Sequence, residues 1–73
     1  MTTESNFLEV IADALELDFQ LNIDDRFKEY EEWDSMTFLS LMMLLRDEYG
    51  LTLEIDEFNQ IETWKDVYNR IID

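Results

Sequence analysis

Apolar side chains return at the helical period in separate stretches of this chain, and no proline interrupts any of them. Phe7, Val10, Ile11, Ala14 and Leu15 fall at i, i+3, i+4, i+7 and i+8, a spacing that places them on one stripe and predicts a first helix over residues 4 to 17. Trp64, Val67, Tyr68, Ile71 and Ile72 repeat the spacing in a last helix, with Thr63 as N-cap and Asp66 at the capping-box position. Between them, Asp34 is a good N-cap for a middle helix that starts at Ser35. That helix stops at Gly50, the only glycine and the residue best suited to a left-handed C-terminal stop. Beyond it, Leu51, Leu53 and Ile55 alternate like a strand, but one strand has nothing to pair with. The stretch reads as an extended linker followed by a short helical turn near Asp56 to Gln60. The expected fold is all-α: a small four-helix bundle, three main helices plus one short helix, with a long first loop, in a single domain over residues 1–73.

A chain of 73 residues hides only about 60% of its unfolded surface, so the core is small and stability marginal. Hydrophobic residues at 47% support folding against a net charge of −14. The absence of cysteine and histidine excludes disulfides, thiolate zinc sites and the commonest general base. Only Arg26, Lys28, Arg46, Lys65 and Arg70 oppose 19 acidic residues, which argues against nucleic acid or anionic lipid as partners and for basic proteins. No run is long enough to span a bilayer and the N-terminus lacks a signal-peptide pattern, so the expectation is a cytoplasmic monomer without membrane insertion.

Residues 18 to 34 form the long loop, and Leu21, Ile23, Phe27, Tyr30 and Trp33 can pin it to the helices. Asp18, Gln20, Asn22, Asp24 and Glu29 fall in the register of a calcium-binding EF-hand loop. Ile23 stands where that loop requires glycine, so no metal site is expected.

On a wheel at about 100° per residue, Phe38, Leu41, Met42, Leu45 and Tyr49 gather on one side of the middle helix and belong to the core. Met36, Leu39 and Met43 lie on another flank, beside Ser35. They are either core in a bundle that wraps this helix broadly or an exposed docking strip, a role that suits the adaptable methionine side chain. Ser35 has no base to make it a nucleophile. The first turn of a helix does favour an oxygen that carries a phosphodiester, and plain capping geometry explains the serine equally well.

The segments "WDSM", "TFLSLMMLLRDEYG", "LTLEIDEF" and "IETWKDVYNRI" together resemble the acyl carrier protein family, in which an Asp-Ser-Leu motif opens the second of four helices. The resemblance runs without gaps from Asp34 to about Ile71. It implies that a phosphopantetheinyl transferase attaches 4'-phosphopantetheine to Ser35 and that the arm's thiol holds acyl groups as thioesters. It implies further that Asp34 is read by the transferase, that partner enzymes touch Met36, Leu39, Met43 and Asp47, and that Leu41, Met42, Leu45, Tyr49, Ile55 and Ile61 line an acyl-receiving core. The partners implied are that transferase, an acyl- or aminoacyl-loading ligase, and acyltransferase or synthase enzymes with basic docking patches. No catalytic residue is expected.

The departures matter for cargo. The family's fatty-acid members usually have leucine after the serine and acids where Thr37, Ser40 and Arg46 stand, whereas here the charge is moved into the loop "DDRFKEYEEWD". Trp33 is similar to carriers of specialised or surface-polysaccharide pathways, and Asp-Ser-Met with a downstream Glu-Phe resembles D-alanyl carriers. The alternative from a different class is an acidic helical interaction module, of immunity or nucleic-acid-mimic type, that leaves Ser35 unmodified.

Overall fold

Each of the four helices begins where the chain supplies a side chain or a carbonyl to take up its free N–H groups. The computed structural model describes residues 3–72, in the order α1 (Glu4–Ala14), a 3₁₀ turn (Phe27–Glu29), α2 (Ser35–Tyr49), α3 (Ile55–Gln60) and α4 (Trp64–Ile72). No strand occurs among the described residues, as the sequence predicts. Thr3 Oγ1 accepts the Asn6 N–H at the head of α1, and the Asp34 carboxylate accepts the Thr37 N–H at the head of α2. At α4 the expected box is present. Thr63 Oγ1 accepts from the Asp66 N–H at 3.3 Å while Asp66 Oδ2 accepts from the Thr63 and Glu62 N–H groups. Gly50 ends α2 at φ 64°, the left-handed conformation that glycine adopts most readily.

Helix α1 is shorter than its periodicity suggests. Glu16 takes a left-handed φ of 57°, and the Leu17 N–H turns back to the Ala12 carbonyl at 2.9 Å, closing the helix after Ala14. A non-glycine residue there costs roughly 1–2 kcal/mol, so the stop carries no obvious sequence signal.

Phe7 and Ile11 of α1, Leu41 and Leu45 of α2, Phe58 of α3, Ile61, and Trp64 and Val67 of α4 form the core, completed by Leu21 and Phe27 of the long loop. Ala14 and Ile72, both placed on core stripes by their spacing, are exposed instead, each at the last position of its helix. The loop is an ordered crossover. The Phe27 ring stacks on Trp64 at 4.1 Å, Trp64 Nε1 donates to the Tyr30 hydroxyl, and that hydroxyl donates to Asp25 Oδ2. Burial, reinforced by the bond to Asp25, raises the Tyr30 pKa. Two N–H groups at the start of α4, those of Trp64 and Lys65, reach the carbonyls of Asp25 and Ile23. The loop's backbone thus satisfies donors that a helix start leaves free. No described helix is long and apolar enough to cross a membrane.

Candidate functional site

Ser35 is the first residue of α2, and its approach is fixed by an aromatic cluster. Trp33 lies parallel to Phe58 of α3 and edge-on to Phe27, and its N–H bonds the Tyr30 carbonyl. The chain therefore enters α2 from an anchored position. The next residue, Asp34, is turned back on the helix. Its Oδ1 accepts from the Thr37 N–H at 2.9 Å and lies 2.9 Å from Thr37 Oγ1, whose proton is shared with the Glu32 carbonyl at 3.2 Å. The Thr37 backbone bond, followed by its hydroxyl, lowers the Asp34 pKa, which favours the carboxylate form beside the serine. From sequence, Thr37 stands out only as a position where an acid is usual; its hydroxyl contact with Asp34 leaves no signal in the spacing.

Ser35 is exposed, and no hydrogen bond holds its Oγ among the described residues. Capping is the work of Asp34, which leaves the serine hydroxyl free. Beside it Met36, Leu39 and Met43 are 71%, 55% and 65% exposed, so the second apolar flank of α2 is not core. The opposite flank is: Leu41 and Leu45 are fully buried, with Phe38, Met42 and Tyr49 half-buried against them. Asp47 is exposed farther along α2.

One residue is corrected. Ile55, implied by resemblance to line the interior, is 69% exposed, because it opens α3 on the outward side while Phe58 and Ile61 turn inward. It adds to the exposed apolar surface in place of the core. Helix α3 is tied down from its other side. Lys28 Nζ donates to the Phe58 carbonyl at 2.7 Å and sits 4.4 Å over the Phe58 ring, and Arg70 pairs with Glu57 at 2.7 Å. Burial lowers the Lys28 pKa. Neither cation carried a sequence signal, since both partners are distant along the chain.

The arrangement fits a serine-linked phosphodiester arm. It offers an exposed hydroxyl without competing bonds, at the positive end of a helix, with exposed apolar side chains alongside. It offers no base or nucleophile pair for catalysis.

Known proteins point the same way. A family profile described as "Phosphopantetheine attachment site" matches residues 6–71. The chain is 35% identical over 69 residues to an acyl carrier protein of Rickettsia canadensis, covering 93% of this chain and 80% of that one. It is 28% identical over 60 residues to a D-alanyl carrier protein of Lactobacillus delbrueckii subsp. bulgaricus, covering 82% of this chain and 75% of the relative. No solved structure gives a significant match. With nearly its whole length matched, the chain belongs to the phosphopantetheine-attachment family, whose members are non-catalytic carriers bearing 4'-phosphopantetheine.

Proposed function

We propose that residues 1–73 are one acyl-carrier domain and that Ser35 is the attachment residue for the 4'-phosphopantetheine arm. The observation that carries this reading is the exposed, unbonded Ser35 hydroxyl at the start of α2, flanked by Met36, Leu39 and Met43 in the open. When attached, the arm supplies a thiol that holds an acyl or aminoacyl group as a thioester. The chain's own residues present and position it. Asp34 fixes the first turn and gives a phosphopantetheinyl transferase a negative charge to recognise. Met36, Leu39 and Met43 dock the loading ligase and the acyltransferase or synthase by apolar contact, and Asp47 on the same helix meets basic patches on those enzymes. Leu41, Leu45 and Ile61, with Met42 and Tyr49, form the closed apolar interior that would have to part to receive the cargo. These exchanges belong in the cytoplasm, among the enzymes that load and unload the arm.

The cargo class stays with the two kinds of relative, acyl and D-alanyl. Intact-mass spectrometry after incubation with a broad-specificity phosphopantetheinyl transferase and coenzyme A tests the reading. A gain of one phosphopantetheine per chain is expected. An unchanged mass would favour an acidic interaction module that uses its charge without modification.

A further inference from the structure

Leu8, Glu9 and Ala12 of α1 face Phe19, Gln20 and Leu21 of the long loop across a groove of about 310 Å³. None of its walls belongs to α2, so it is separate from the surface around Ser35. Its size sits at the low end of ligand pockets, which run from about 300 to 1,000 Å³, and suits one inserted side chain better than a cofactor. Leu8 and Ala12 are half-buried and Leu21 is buried, and with Phe19 they give the groove an apolar strip beside the polar Ser5, Glu9 and Gln20. Phe19 is different. Its ring is 36% exposed, yet it is held at 90° to the Tyr30 ring, 5.1 Å between centroids, and Tyr30 is itself fixed through its hydroxyl to Asp25 and Trp64. The aromatic wall is therefore preformed, which reduces the ordering cost of binding.

The charge around this groove is one-sided. Residues 1–25 contain no lysine or arginine, while Glu4, Glu9, Asp13, Glu16 and Asp18 cluster on and just after α1. The ion pairs among the described residues are made by Arg26 and Arg70, so none of them neutralises these acids. A flat cation with an apolar stem matches an aromatic face, a carboxylate and an apolar lining at once. Arginine meets all three together, because its planar guanidinium can lie flat on a ring while its fork of N–H groups bonds a carboxylate; lysine brings an apolar stem and a compact charge but no planar fork.

We infer that this groove is a second docking site, which seats an arginine side chain of a basic partner protein with its stem along Leu8 and Ala12 and its guanidinium against Phe19 and Glu9. The site is independent of modification at Ser35. Titration of the ¹⁵N-labelled full chain with a leucine-flanked arginine peptide, and with its lysine and citrulline counterparts, tests it. Amide shifts are expected at Leu8, Ala12, Phe19 and Leu21, with arginine bound more tightly than lysine and citrulline scarcely bound. Glu9→Gln should weaken arginine binding about fivefold. Phe19→Leu, which keeps the wall apolar, should erase the preference for arginine over lysine. Shifts centred on Met36, Leu39 and Met43 or spread over the acidic surface, equal binding of the arginine and lysine peptides, or wild-type affinity in Glu9→Gln would overturn the inference. Loading at Ser35 in Glu9→Gln should equal wild type. A chain that takes the peptide in the groove but is never pantetheinylated would contradict the carrier reading and leave the groove supported.

Discussion

Tyr49 carries the one buried side-chain oxygen among the described residues that has no hydrogen-bond partner. Its ring is wanted, packing 6.0 Å from Phe7, but its hydroxyl is not, and burial, with Glu48 adding, raises its pKa. Tyr49→Phe keeps the ring and removes the orphan, so it should stabilise the fold by about 1 kcal/mol in a thermal melt. A loss of stability would mean that the hydroxyl is satisfied after all. The two flanks of α2 give a second contrast. Leu45→Ala should cost about 2–5 kcal/mol, and Met36→Ala or Met43→Ala less than about 1, while the methionine variants slow loading by a cognate enzyme. If the methionine variants destabilise as much as Leu45→Ala, that flank is core. At this scale the helical wheel separated buried Leu41 and Leu45 from the Met36 flank, because a fixed rotation per residue sorts the faces of a long helix. It gave no such help for Ile55, since a short segment that reads like a strand does not say which residue its first helical turn will rotate outward.

Elements were legible where a side chain announces an end. Asp34, Gly50 and the Thr63–Asp66 pair each mark a boundary that the structure keeps. The end of α1 was not legible, because Glu16 adopts a left-handed conformation normally signalled by glycine, and three residues of 3₁₀ helix leave no period to detect. The box at α4 predicts a pH dependence. The Glu62 backbone bond, with those of Thr63, lowers the Asp66 pKa below its unfolded value near 3.9. A depressed carboxylate contributes stability that is complete above the unfolded pKa and lost as the pH falls through the folded one. Asp66→Ala should therefore be about 1 kcal/mol less stable than wild type at pH 7, with the gap closing below about pH 4. Urea melts at pH 7 and near pH 3 measure it, and a gap unchanged by pH would contradict the role assigned to the carboxylate.

The whole molecule is a body of 29 × 26 × 21 Å with a net charge of −14. At about 0.01 M salt the screening length is near 30 Å, so charges on opposite sides repel one another, whereas at about 0.1 M it falls to near 10 Å. The melting temperature should rise over that interval, because the exposed ion pairs of Arg26 gain little and the surplus of acid loses its mutual repulsion. A melting temperature indifferent to salt would show the acids to be compensated within the fold. On the function proposed above, the same excess of charge would draw basic partner enzymes to the carrier. The attachment residue is the centre of that account. The most direct measurement is fragmentation mass spectrometry of the transferase-treated wild-type chain after tryptic cleavage at Lys28 and Arg46, which leaves Ser35, Thr37 and Ser40 on one peptide. The account predicts the phosphopantetheine mass on Ser35 and none in the Ser35→Ala variant; an adduct on Thr37, Ser40 or Ser5, or one that survives in that variant, would contradict it.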